Sequence, residues 1–315
     1  MNGLELTGDR VSYRTNLAFP EEVTGEVRVR VSCAGICETD LQLMQGYMGF
    51  QGILGHEFVG VAENGKYAGR RVVGEINCPC GECSFCRRGL GTHCPSRTVL
   101  GIVNRNGAFA EFLTLPESNL HPVPDDLPDE LAVFTEPVAA AFQIPAQIPD
   151  LAGKRTVLLG DGRLGNLCAQ VLKLIGADVT VVGKHSRKLE LISKLGIRTV
   201  LLEDLKLKKE YEVVVDCTGR ASGFETALSL VQPRGKLVLK TTVAGREPIN
   251  LAGIVIDEIT VIGSRCGPFG PAIKALANGT VSVRELIDEV RPLATGVEAL
   301  QEVRAGGKLK VQLRP

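Results

Sequence analysis

Five of the ten cysteines fall between positions 78 and 94, and four of them, Cys80, Cys83, Cys86 and Cys94, stand at C-x2-C-x2-C-x7-C spacing. Two-residue steps let a looped backbone turn several thiolates toward one point, and four thiolates complete a tetrahedral zinc shell. A closed shell has no position for substrate, so this cluster predicts a structural zinc, with Cys78 as a neighbouring thiol without an assigned role. A second metal-type set lies elsewhere, in Cys37, His56, Glu57 and Glu136. A thiolate, an imidazole and a carboxylate can hold zinc while leaving one position open for water or substrate. Taken singly, these residues read as a buried thiol, a core histidine and an acid at a helix start. Their joint occurrence with the cysteine cluster favours a catalytic metal.

A third constellation is Gly160-Asp-Gly162-Arg163-Leu164-Gly165, which matches G-x-G-x-x-G. Such a turn between a strand and a helix lets the backbone approach a pyrophosphate, and the helix N-terminus supplies N–H groups and a positive dipole end. The end of the following strand usually carries an acid for the ribose 2′-hydroxyl. Here it reads Gly183, Lys184, His185, Ser186, Arg187. Cations without a carboxylate at that place favour NADP over NAD and predict a lower Michaelis constant for NADPH than for NADH.

The elements that must position these residues fall into two styles. Up to about residue 125 short alternating apolar runs are separated by Gly and Pro. Val27, Val29 and Val31 form one face of a period-two strand, which indicates a small antiparallel β domain. From about residue 153 compact apolar strands at Thr156–Leu159, Val179–Val182, Val213–Val215, Leu237–Leu239 and Ile259–Ile262 alternate with helical stretches. That alternation predicts a parallel, doubly wound sheet. After residue 265 two short helical stretches and a strand at Leu309–Leu313 are read as returning to the first domain.

A chain of 315 residues is expected to form two domains. Its 36 basic and 36 acidic side chains balance, so no global field recruits nucleic acid or an anionic membrane surface. The opening residues have early acids and no apolar core of a secretory signal, and no apolar run approaches a membrane span. Ten cysteines in that setting suit metal ligands and buried thiols better than disulfides, which predicts a cytoplasmic protein.

Motifs in this order resemble the zinc-dependent medium-chain dehydrogenases, the alcohol and polyol dehydrogenase superfamily. The resemblance runs through GICETD at 35–40, GHEFVG at 55–60, the cysteine lobe, GAFAEF at 107–112, TEP at 135–137, GDGRLG at 160–165 and the closing Lys308-Leu-Lys310-Val311. It implies an α/β architecture: a GroES-like antiparallel β catalytic domain over 1–137 with the zinc lobe at about 78–95, completed by 265–315, and a Rossmann domain over 138–264. It implies that Cys37 and His56 ligate a catalytic zinc and that Glu57 meets the metal directly or through water. Glu136 matches a position where members carry Cys, Asp or Glu, and Thr39 matches the hydroxyl that contacts the reacting oxygen and starts a proton relay. Gly160, Gly162, Arg163, Leu164, Gly165, Gly183, Lys184, His185 and Arg187 are the expected cofactor-binding residues.

The implied reaction is hydride transfer between a nicotinamide cofactor and an alcohol or polyol or its carbonyl compound, in a homodimer or homotetramer. Two features depart from the pattern. Gln42 stands five positions after Cys37, where members often have His, and an amide cannot titrate. The chain is also shorter than most members, with tight spacing around 41–55 and 60–72. Three other readings compete: an NAD-dependent polyol, sugar or threonine dehydrogenase-like enzyme, a zinc-free quinone or enoyl reductase of the same fold, and a non-enzymatic zinc module. Both zinc-type sets argue against the second, and neutral charge argues against a nucleic-acid module.

Overall fold

The computed structural model describes residues 1–240 and 249–315. The chain divides into two compact units: Met1–Glu136 with Ala272–Gly279 and Val283–Pro315, and Pro137–Pro271 with Thr280–Ser282. No helix among the described residues is long and apolar enough to cross a membrane.

The first unit is built on a seven-stranded sheet. Along it lie Leu120–Pro122, Arg71–Gly74, Glu57–Ala62, Glu26–Gly35, Lys310–Arg314 and Ile287–Pro292, with Phe112–Pro116 also paired to Glu26–Gly35. All pairings are antiparallel except that of Ile287–Pro292 with Lys310–Arg314. Val27, Val29 and Val31 are buried on one face, as their period-two spacing predicts. Leu113, Leu115 and Phe58 are buried with them, each worth about 1.5–3 kcal/mol of transfer free energy when fully removed from water. The register at the end of the long strand matters most for function. Gly35 lies opposite Glu57 on one side and Gln312 on the other. A glutamate and a C-terminal strand therefore converge on the same glycine.

The second unit is a six-stranded parallel sheet of β1 (Arg155–Leu159), β2 (Asp178–Gly183), β3 (Arg198–Leu201), β4 (Tyr211–Asp216), β5 (Val231–Leu239) and β6 (Thr260–Gly263). Their order across the sheet is β3-β2-β1-β4-β5-β6, the doubly wound arrangement that reverses direction between β1 and β4. Helix α1 (Arg163–Leu174) follows β1 and α2 (Ser186–Ser193) follows β2. Val157, Leu159, Val182, Val214, Phe224 and Leu237 form one buried cluster. Strands buried on both faces read as short apolar runs, which is why β1, β2, β4 and β5 were visible in sequence.

Candidate metal sites and dinucleotide turn

The cysteine lobe rests on a two-stranded ribbon in which Asn77–Cys78 pairs with Thr98–Val99. Cys83 caps the short helix Ser84–Arg87, so Cys83 and Cys86 flank one helical turn. Cys94 follows the turn Gly91–His93. All four sulfurs lie within 4.8 Å of one another. Cys83 to Cys86 is 3.4 Å, Cys80 to Cys94 is 3.5 Å and Cys80 to Cys86 is 3.9 Å. A tetrahedral zinc with Zn–S bonds of about 2.3 Å needs sulfurs roughly 3.8 Å apart, so the group fits that ion. The backbone N–H groups of Cys86 and Cys80 hold the Cys83 and Cys94 thiols below their ordinary range. Desolvation and the neighbouring Cys83 push Cys86 up to about 12. Adjacent thiols of this kind ionise together only around a cation.

Cys78 is not in that group. It is buried, accepts from Asn119 Nδ2 at 3.8 Å, and burial raises its thiol to about 11. It is a neutral packing thiol, which supplies the account that its sequence neighbours withheld. None of the ten cysteines forms a disulfide. Of the four others with no expected ligand role, Cys33 and Cys168 are buried, whereas Cys217 and Cys266 are half-buried.

Cys37, His56 and Glu57 also place one ligand atom each within 4.8 Å of the others. Cys37 is the N-cap of the short helix Glu38–Leu43, and the Asp40 carboxylate accepts its backbone N–H at 2.8 Å. The other oxygen of Asp40 accepts from the Gly55 N–H at 3.3 Å and lies 3.3 Å from His56 Nδ1. One buried acid thus ties the helix that carries the thiol to the turn that carries the imidazole. Burial alone would lower the His56 imidazole, but Asp40 and Cys37 outweigh it and raise it well above its ordinary value.

Glu57 is 0% exposed and pairs through Oε2 with Lys310 Nζ, which is also 0% exposed. Lys310 further donates to the Ile36 carbonyl at 3.2 Å and stands 5.3 Å from the Phe134 ring. Burial lowers its ammonium to about 8. Gly35 makes the meeting possible, because a Cβ there would sit 2.7 Å from Glu57 Oε2 and closer still to Lys310. The second oxygen of Glu57 has no hydrogen-bond partner among the described residues. A buried orphan acceptor beside a thiol and an imidazole fits a cation.

Thr39 is half-buried, its Oγ1 3.8 Å from Cys37 Sγ. Gln42 donates to Glu38 at 3.1 Å, one turn back along its own helix. Glu136 is half-buried in the first turn of the helix Thr135–Gln147 and is not a member of the Cys37, His56, Glu57 group. Sequence reasoning assigned no role to Asp40 or Lys310. An acid three residues after Cys37 at a helix start was a readable capping signal, whereas no local pattern marks Lys310 as buried.

In the second unit Gly160 leaves β1 with φ of 116°, a conformation open to glycine. Gly162 is the N-cap of α1, with no side-chain capping bond, and a Cβ added there would meet nothing within 4 Å. That open space before a helix N-terminus fits a pyrophosphate. Lys184 and His185 in the loop after β2 and Arg187 in the first turn of α2 are all exposed. The expectation that no carboxylate stands at this strand end does not hold. Asp161, from the glycine turn, reaches across and accepts the N–H groups of Lys184 at 2.8 Å and His185 at 2.7 Å.

Comparison with known proteins agrees with both halves. Residues 23–125 match the alcohol dehydrogenase GroES-like domain, and residues 164–278 match the zinc-binding dehydrogenase domain. The chain is 31% identical over 325 residues to D-arabitol-phosphate dehydrogenase of Enterococcus avium, covering 95% of this chain and 92% of that one. A zinc-binding dehydrogenase from Sinorhizobium meliloti 1021 bound to NADP superposes with a TM-score of 0.89 at 26% identity, covering 100% of this chain and 99% of that one. A short chain alcohol dehydrogenase from E. coli CFT073 complexed with NADH gives 0.90 at 25% identity, with the same coverage.

Proposed function

Because the chain belongs to the zinc-dependent medium-chain dehydrogenase superfamily and is a dehydrogenase acting on CH–OH donors, we propose that it oxidises a secondary alcohol or polyol at the Cys37, His56 and Glu57 site, using NAD or NADP. The observation that carries this reading is the buried Glu57 oxygen without a partner, set against a thiol and an imidazole. Cys37 and His56 would hold zinc, with the Asp40 carboxylate 3.3 Å from Nδ1 of the imidazole behind them. Glu57 would approach it as its pairing with Lys310 loosens. Bound zinc supplies Lewis-acid polarisation of the substrate oxygen, and a bound nicotinamide supplies the hydride acceptor.

The remaining work falls to side chains of this chain. Thr39, half-buried, would take the substrate hydroxyl proton at Oγ1 while releasing its own proton to water, and the carbinol carbon would give up its hydride. Gln42 is tied to Glu38 and cannot titrate, so the proton does not pass to that position as it would to a histidine. Cys80, Cys83, Cys86 and Cys94 would hold a second zinc as a scaffold. Glu136 lies outside the Cys37, His56 and Glu57 group, which leaves those three as the nearer candidates for the metal.

Exposed Lys184 and Arg187 support NADP, and the Asp161 carboxylate opposes it. Of the two solved neighbours above, one carries NADP and the other NADH. Self-association is supported by β6 at the sheet edge, beside Val255 and Ile256, which are 74% and 78% exposed. Ten thiols without a disulfide suit the cytoplasm. The test is a panel of polyols, polyol phosphates and simple secondary alcohols, followed by reduced-nicotinamide absorbance, with zinc measured per chain. Turnover with at least one of them and about two zinc ions per chain is expected. One zinc and no turnover on any of them defeats the reading.

A further inference from the structure

The glycine turn carries a side chain for which the chemistry above has no use. Asp161 is 7% exposed, yet it belongs to a turn that opens toward solvent at Gly162. Its carboxylate lies across the end of β2. Oδ2 accepts the backbone N–H groups of Lys184 at 2.8 Å and His185 at 2.7 Å, and His185 Nδ1 stands 3.0 Å from both oxygens. Gly183 leaves room for it, since a Cβ there would sit 2.5 Å from both Cβ and Oδ2 of Asp161. β1 and β2 run parallel with Leu159 opposite Val182, so both chains leave the sheet at the same edge. In open α/β sheets that edge receives the dinucleotide. The group at the end of the second strand then meets the adenosine ribose, an acid accepting from a 2′-hydroxyl or a cation meeting a 2′-phosphate.

We propose that Asp161 is the group that reads the adenosine 2′ position, so that the chain selects NAD over NADP. This rests on the dehydrogenase reading above and settles its cofactor. The acid sits in the first loop and not on the second strand, but its oxygens occupy the second strand's end. A carboxylate accepts about four hydrogen bonds, and Oδ1 here receives only the His185 ring among the described residues. A ribose hydroxyl can donate to that oxygen. A 2′-phosphate, with a charge of about −1.5 to −2, would meet a fixed carboxylate and two N–H groups already taken. His185 is engaged with the same acid. Lys184 and Arg187 are exposed, where water and salt weaken their attraction for a phosphate. The basic run after β2 is thus partly answered by an acid 23 residues earlier.

The competing account is that Asp161 only braces the loop before α2. Binding separates the two without any substrate. NADH and NADPH are titrated against the zinc-loaded full chain by nicotinamide fluorescence, for wild type and for Asp161→Asn and Asp161→Ser, with melting curves confirming folding. The wild type should bind NADH at least about tenfold more tightly than NADPH. Asp161→Asn keeps an oxygen for the two N–H groups and should move the affinity ratio toward NADPH by about tenfold. A brace lost from the loop would weaken both dinucleotides alike and leave the ratio in place. Equal affinities in the wild type, tighter NADPH, or an unchanged ratio in a folded variant overturns the proposal. Failure of the folded wild type to bind either dinucleotide overturns the dehydrogenase reading as well, and that result is distinct from equal binding.

Discussion

The four-thiol lobe and the Cys37, His56, Glu57 group are both metal-type clusters with atoms inside 4.8 Å, yet their surroundings are opposite. The lobe uses like donors, three of them exposed or half-buried, held by backbone N–H groups on short turns. The other group uses unlike donors, with its histidine and glutamate buried and each tied to a further charged side chain, Asp40 or Lys310. Equal ligands with no competing partner make a shell that closes and stays closed. A carboxylate already claimed by an ammonium makes a shell that can open.

The sharpest way to break this contrast is to delete one ligand from each cluster. Cys37→Ser should lower turnover by about a thousandfold or more while shifting the melting temperature by only a few degrees. Cys80→Ser should do the reverse, with large loss of melting temperature or of soluble protein. Stability losses of similar size in both variants, or near-normal turnover for Cys37→Ser, would erase the distinction. A second test addresses the claimed carboxylate. Lys310→Met leaves Glu57 buried without its cation and should destabilise zinc-stripped protein by about 3–5 kcal/mol. Restoring zinc should recover much of that loss, measured by denaturant unfolding with and without chelator. An equal loss in both conditions would mean that Glu57 does not reach the metal.

The smallest expected effect is in pH. Because Asp40 and Cys37 raise the His56 imidazole despite its burial, the ring keeps its proton at pH values where a free imidazole has lost it. Zinc must displace that proton, so affinity at this site should fall by about tenfold per pH unit below the raised value. Dialysis against a chelator at stepped pH should remove activity before it lowers the melting temperature, because the four candidate ligands of the lobe include no histidine. Loss of both together would contradict this.

Much of this was legible in one dimension because the informative residues obey short-range rules. The cysteine spacing, the glycine turn and the doubly buried strands all express their geometry within about ten residues. What escaped was held by register and reach. Ile287–Pro292 alternates half-buried and exposed residues with charges inside it, so it carried no apolar run to mark it as a strand. β3 is similar, with no fully buried residue. Lys310 lies in the closing motif that the resemblance covers, but its burial follows from the pairing of its strand, Gln312 opposite Gly35, with a segment far back in the chain. Asp161 occupies a variable position of the glycine motif and carries no local signal of its own. Its function depends on the parallel pairing of β1 with β2, which no local pattern reports.

The meeting of Lys310 and Glu57 over Gly35 joins residues 253 positions apart. On a ribosome the thiol, imidazole and carboxylate emerge early, and the whole second unit is synthesised before the ammonium exists. Throughout that interval Glu57 lacks the ammonium that claims it in the finished fold. The buried acid gains its counter-charge only when the last strand is added, so the neutrality of this corner of the first unit depends on residues made at the very end of the chain.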